Sequence, residues 1–427
     1  IKYLCNYVKE YFGNEDHELI KCMVNLTTNF HKSEFEEFKT YKRSIANNKS
    51  NAEIPKLKLS LCAKWIPREK CKKFGWINVK IAENLFPQFL KSGKSANSQF
   101  KGKLKGRIIL RKRLAAMNKH LNTVQVNMCG GNWKDIDFNN VTSLTMRKTK
   151  TAFNNKDKQG NQRSYDEDRI RCANNFDNHI KASFSDDTVK IHGKRCNVYE
   201  LVKDAITTNC SQEIQVINQQ WVDNAKTNKN FGNMIAMVDT SSSMKVDDCL
   251  PLYNAIGLGI RVSEKSNDVF KHRVLTFNST VTWFQLNKNA SFCDKVRHLK
   301  TAPWGGSTNF EAALEMILNL AVANDIPPSE MEDMVMAVFS DMQIDQAGSH
   351  YKNEMKWNTM MVRIEKQYAL AGLQSKFNTP YKAPHILFWN LRKTNGFPTM
   401  STKKNTTMLS GYSAVLLNIF CEKGVEE

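Results

Sequence analysis

At 427 residues, with 41% hydrophobic and 10% aromatic content, the chain is long enough for two or three domains with substantial cores. No run approaches the ~18 uncharged apolar residues of a membrane helix, which excludes a helical membrane protein and predicts a soluble one. The net charge of +20 is uneven: residues 1–230 hold 42 Lys and Arg against 23 Asp and Glu, a net +19, whereas residues 231–427 hold 20 against 19, a net +1. A basic first half attracts polyanions, nucleic acid foremost, while the neutral second half does not.

Eleven cysteines, an odd number without a CxxC pair, and nine unclustered histidines give no zinc pattern. They predict reduced, mostly buried thiols and a cytoplasmic protein, with the nucleus or a virus particle as alternatives. The sequence opens on Ile1 without a visible signal peptide, and further residues are expected upstream.

In chain order, Leu4, Tyr7, Val8, Tyr11 and Phe12 recur at helical spacing, and residues 1–45 predict two short helices. Residues 46–58 read as a loop, and Val79 to Leu90 as a helix. Lys91 to Lys103, with Gly93 and Gly102, predicts an exposed loop. Gly106 to Val126 predicts a long amphipathic helix with Ile108, Ile109, Leu114, Met117, Leu121 and Val124 as its apolar stripe. Its start is crowded with Lys101, Lys103, Lys105, Arg107, Arg111, Lys112 and Arg113. Positive charge there opposes the helix macrodipole, and a phosphate partner would offset it; a solvated basic face is the alternative. Further helices are expected at 141–153, 169–180, 199–209 and 214–221, with no strand-rich region before residue 230.

After the polar stretch 224–233 the pattern changes to strands alternating with helices, the mark of a doubly wound parallel sheet. Strands are expected at 234–239, 272–277, 280–286, 334–340 and 385–390. Helices are expected at 250–265, 292–300, 309–323, 353–371 and 412–421. The fold class is therefore α + α/β, with an all-α part, possible helical repeats included, over 1–228 and a doubly wound domain over 229–427.

The first strand, Met234 to Val238, ends in Asp239-Thr240-Ser241-Ser242-Ser243. A carboxylate and hydroxyls at the C-terminal end of a buried parallel strand are hard oxygen ligands where such sheets place their sites. The spacing turns Asp239, Ser241 and Ser243 toward one point. A glycine-rich loop, Pro303-Trp304-Gly305-Gly306-Ser307-Thr308, offers Thr308, and a second buried strand ends in Asp341.

Asp-x-Ser-x-Ser, a loop threonine and a strand-terminal aspartate, in that order, resemble the metal-ion-dependent adhesion site of von Willebrand A domains, which are Rossmann-like. That resemblance implies Asp239, Ser241, Ser243, Thr308 and Asp341 as ligands of Mg²⁺ or Mn²⁺, with an open position for an acidic group of a protein partner. Ala63 to Pro67, Trp133 to Phe138, Phe388 to Leu391 and Leu409 to Ser413 resemble stretches of an uncharacterised family of plant and giant-virus proteins with a helical N-terminal part and a von Willebrand A domain. The architecture is also similar to that of the Ro autoantigen family, which implies an RNA-binding helical part and a ribonucleoprotein-like role.

The leading expectation is a non-enzymatic binding protein; the alternative is a protein–protein assembly or virion-associated module using the metal site. A haloacid-dehalogenase-like phosphatase is a minor reading. Such enzymes place a second aspartate two residues after the nucleophile to protonate the leaving group, and here that position is Ser241.

Overall fold

The computed structural model describes residues 1–48, 54–90, 95–157, 159–276, 281–302, 310–342, 350–392, 405–413, 416, 418 and 419, with backbone alone for 350–356. It divides into two compact units, 1–136 and 137–427.

The first unit is helical. Helix Lys2–Phe12 stops at Gly13, whose left-handed φ of 64° suits a residue without a Cβ. Helix Glu18–Asn47 follows, a single 30-residue element where the sequence predicts a short one. Its N-terminal turn is held by His17, whose ring nitrogen accepts the Leu19 N–H at 3.2 Å. Helices Gly75–Leu85 and Ala96–His120 pack with these two, and shorter helical pieces lie at Cys62–Trp65, Pro87–Leu90 and Val124–Gly130. The core joins Cys5, Val8, Ile20, Val24, Phe74, Ile77, Ile81, Phe86 and Leu110.

The expected loop at 91–103 is corrected over its described part: the long helix begins at Ala96, with the Ser95 hydroxyl accepting the Ser98 N–H at 3.2 Å. Gly102 and Gly106, which look like breakers, are buried within the helix, and a Cβ at Gly106 would meet Phe86 at 3.5 Å, an ordinary van der Waals contact. The buried residues are Gly102, Gly106, Leu110 and Met117; of the expected stripe, Met117 is among them and Ile109 and Leu114 pack partly buried against the core.

His31 is fully buried, and neither ring nitrogen has a hydrogen-bond partner among the described residues. Burial first, and the positive charge of Arg113 second, push its pKa down to about 4. The folded state thus favours neutral imidazole. The stability this neutrality contributes is present above the ordinary value of 6.5 and is lost as pH falls from 6.5 toward 4, by about 3 kcal/mol in all. His31→Leu should therefore flatten the fall in urea midpoint between pH 7 and 4.5; an unchanged pH slope would show that acid sensitivity arises elsewhere.

The second unit begins with helices Ser143–Phe153, Glu167–Ala182, Val198–Thr207 and Ser211–Ala225, so the basic half by composition is shared between units. Val198, Leu201, Val202, Ile217 and Trp221 join one core with the sheet. Arg147 pairs with Glu200 at 2.8 Å and with Asp204 at 3.0 Å, and Lys150 with Asp204 at 2.9 Å, so these cations tie helices together.

Six strands follow: β1 Met234–Val238, β2 Arg273–Thr276, β3 Trp283–Gln285, β4 Val335–Ser340, β5 His385–Asn390 and β6 Thr406–Ser410. Their order is β3-β2-β1-β4-β5-β6, and every pairing is parallel except β2–β3. Both faces of β1 are covered. Met234, Ala236 and Val238 enter a core with helix Val246–Lys265, while Ile235 and Met237 enter another with helices Phe310–Ala323 and His350–Gln374. This is the doubly wound α/β sheet that the alternation of elements predicts. The five expected strands match β1 to β5. β6 is a strand the sequence reading lacks, and half of the expected helix at 412–421 lies outside the described residues.

Candidate functional site

Parallel register sets the geometry of the strand ends. β1 and β4 pair Val238 with Phe339, and β4 and β5 pair Ser340 with Asn390. The residues that follow, Asp239, Asp341 and Arg392, therefore leave the sheet at its C-terminal edge, where open α/β sheets bind ligands.

Asp239 and Asp341 are 2% and 1% exposed. The Asp239 carboxylate accepts the Ser241 N–H at 2.8 Å and the Ser340 hydroxyl at 2.7 Å, through different oxygens. The first bond turns the chain out of β1, and the short turn Ser242–Lys245 follows. Ser241 and Ser243 bring their hydroxyl oxygens to 2.9 Å of one another, while Ser242 faces solvent. Asp239, Ser241 and Ser243 thus line one side of the turn, as their spacing implies. Thr308 lies outside the described residues.

Burial pushes the Asp239 carboxyl pKa above its ordinary 3.8, the bonds from Ser241 and Ser340 act against that, and the negative charge of Asp341 adds to it. Arg392 approaches Asp341, with Nη1 3.5 Å from Oδ2. Among the described residues no group of three or more His, Cys, Asp or Glu side chains converges. The donor set here is different: two desolvated carboxylates and two hydroxyls, all oxygen. It fits a hard cation such as Mg²⁺ or Mn²⁺ that keeps several waters.

Ser340 and Arg392 belong to this site, and sequence reasoning missed both. The signals were present. Ser340 directly precedes the strand-terminal aspartate, and Arg392 follows an apolar run that ends at the same sheet edge.

The basic residues of helix Ala96–His120 do not form one cluster. Because the helix begins at Ala96, they lie beyond its first turn, where the macrodipole is weak. Lys103 pairs with Glu83 and Arg107 with Glu69, each at 3.1 Å. The Arg113 guanidinium lies over Phe35 at 4.3 Å and Phe86 at 4.8 Å, partly desolvated. Lys101, Lys103, Lys105, Arg111 and Lys112 are exposed, and Lys105 Nζ also lies 4.8 Å from the centre of the Phe89 ring. At helical spacing Lys101, Lys105 and Lys112 share one stripe, with Arg111 about 100° round the helix from it. The first unit carries 27 Lys and Arg against 11 Asp and Glu, a net +16 of the chain's +20.

The ten cysteines among the described residues are free thiols; Cys5, Cys172, Cys196 and Cys293 are buried. Burial pushes Cys196 and Cys293 up to about 12, which makes them unreactive.

Comparison with known proteins matches two families, each described as a domain of unknown function. One (DUF2828) matches residues 36–233, and the other (DUF7788) residues 233–427. An uncharacterized protein (L728) of Acanthamoeba polyphaga mimivirus is 28% identical over 385 residues, covering 88% of this chain. The chain spans 60% of that relative's length. Among solved structures, the crystal structure of the Deinococcus radiodurans Ro (RSR) protein aligns with a TM-score of 0.36 at 9% identity, over 82% of this chain and 77% of that one. A giant-virus relative is thus shown. No helix among the described residues is long and apolar enough to cross a membrane.

The raised Asp239 pKa gives a sign for stability without metal. The folded state holds the Asp239 proton more tightly than the unfolded chain does, so stability falls as pH rises from 3.8 through the raised value. In EDTA at pH 7, Asp239→Asn should have a higher urea midpoint than the parent, and the difference should shrink on acidification. A lower midpoint for the variant would mean that the anion stabilises the fold.

Proposed function

We propose that this chain is a non-enzymatic binding protein with two working surfaces. In the second unit, a von Willebrand A-type domain holds Mg²⁺ or Mn²⁺ through Asp239, Ser241, Ser243 and Asp341, with Thr308 as the ligand called from sequence. Bound there, the cation offers an open position to an acidic group of a protein partner. One observation carries this half: two buried carboxylates on adjacent parallel strand ends, with a converging hydroxyl pair and hydrogen bonds that fix their orientation. The strand order β3-β2-β1-β4-β5-β6 with an antiparallel edge supports the domain type.

The first unit supplies the RNA surface, supported by its net +16 and by the exposed stripe of Lys101, Lys105 and Lys112 with Arg111. Lys103, Arg107 and Arg113 make their first contacts within the unit, so they contribute to the field more than to direct phosphate contact. A second reading, assembly with another protein as in a virus particle, is favoured by the apolar side chains that the first two helices leave in solvent. Leu4, Tyr7, Tyr11, Leu19 and Leu26 are each more than half exposed.

Mn²⁺ titration of the full chain against Asp239→Ala tests the metal half. The parent should also gain about 2.7 kcal/mol of stability at 100 times Kd, and the variant none. Equal binding by the two would remove the assignment.

RNA binding is tested through salt. Four phosphates neutralised by Lys101, Lys105, Arg111 and Lys112 give a slope of log K against log salt of about −3 to −4. Changing all four to Gln should flatten that slope and weaken binding to every sequence alike. If the full chain shows no affinity tighter than micromolar for a structured RNA at moderate salt, the assembly reading replaces this one.

A further inference from the structure

Arg392 sets a guanidinium against one of the two strand-end carboxylates. Beyond the last paired residues of β4 and β5, the Leu391 N–H donates to the Ser340 carbonyl at 2.9 Å, extending the ladder by one bond. The Asn390 side chain then accepts the Arg392 N–H at 2.8 Å and turns the chain back over the sheet edge. These two bonds bring the Arg392 guanidinium to 3.5 Å of Asp341 Oδ2. The Arg392 side chain is 28% exposed and the Asp341 side chain 2%, so the pair joins a buried anion to a cation on the rim of the site.

The two carboxylates are therefore treated differently. Asp239 is met by a backbone N–H and a hydroxyl, neutral donors that leave its charge in place. Asp341 has a full positive charge beside it. A guanidinium and a divalent cation seek the same carboxylate lone pairs, and they repel each other in a site largely withdrawn from water.

We propose that Arg392 is a tethered counter-cation that competes with the divalent ion for Asp341, so that loading the site requires Arg392 to withdraw. The inference rests on the metal reading given above and adds a control to it. With Arg392 in place the strand ends tolerate the absence of metal, because one of the two buried charges is balanced. When the ion arrives, the guanidinium swings toward the solvent it already borders. Metal affinity is thereby held below what the oxygen donors alone would give, and the position of Arg392 reports the state of the site.

The test is Mn²⁺ binding to the full chain by electron paramagnetic resonance of free Mn²⁺, for the parent, Arg392→Gln, Arg392→Lys and Lys382→Gln. Lys382 pairs with Glu332 at 2.6 Å, before the starts of β4 and β5 and so at the opposite end of the sheet. Arg392→Gln should bind Mn²⁺ on the order of tenfold more tightly, a typical coupling between two linked sites. Arg392→Lys, which keeps the charge, should stay nearer the parent, and Lys382→Gln should match it. Equal or weaker binding by Arg392→Gln, with binding by the parent intact, overturns the inference and leaves the metal reading standing. No Mn²⁺ binding by the parent or Arg392→Gln removes both.

Melting in EDTA gives a second readout that does not need metal. Arg392→Gln alone should lower the melting temperature, and adding Asp341→Asn should restore much of it. Strict additivity of the two changes would show that there is no pairing to displace, and it would also overturn the inference.

Discussion

The parallel register across β1, β4 and β5 is the constraint on which the site depends. A shift of one residue in either pairing would send the alternating side chains of a buried strand to the wrong face. Both faces are occupied: β4 gives Ala337 and Phe339 to one core and Met336 and Val338 to the other. The apolar cores therefore fix the register, and the register fixes where Asp239, Asp341 and Arg392 emerge. Chemistry at the sheet edge is positioned by residues that take no part in it.

The chain keeps two electrostatic problems apart. The first unit gathers +16 on a helical scaffold whose long helix packs through Gly102 and Gly106. These glycines are buried on the packed side, which leaves the other sides of the same helix for long cations. Some of those cations are held by Glu69, Glu83 and the rings of Phe35 and Phe86, so the positive surface has defined edges. The second unit is nearly neutral, and its notable charges are inside: Asp239 and Asp341, and the guanidinium of Arg261, which lies 3.7 Å from the Trp221 ring.

Much of the α/β unit was legible because its strands are short, fully apolar and bounded by polar turns. Met234 to Val238 and Val335 to Phe339 could hardly be anything else. β6 was not legible: Thr406 to Ser410 follows a run of Lys, Thr and Asn and is only partly buried, so neither alternation nor an apolar run marks it. In the first unit the start of the long helix was misread because Gly102 was taken as part of a loop. Here Gly102 and Gly106 are buried inside the helix, and no local pattern reveals that they lie on its packed face. At the site, Asp239, Ser241, Ser243 and Asp341 stood out by residue type at strand ends. Ser340 and Arg392 were found only once the register was known, since their roles come from strand pairing and not from their own sequence neighbours.

Stability does not explain why two carboxylates sit side by side at this edge. Removing an anion from water costs several kcal/mol, and hydrogen bonds from one amide and one hydroxyl offset only part of that for Asp239. Burial therefore raises the Asp239 pKa despite those bonds, and repulsion from the second anion adds to it. Arg392 eases the balance at Asp341, but at 3.5 Å from a position partly in solvent it does not cancel both charges. Buried carboxylates held at a cost, at the edge where open α/β sheets carry ligands, form the pattern that the proposed binding site rests on. For the metal reading proposed above, the buried negative charge would favour a compact cation satisfied by oxygen.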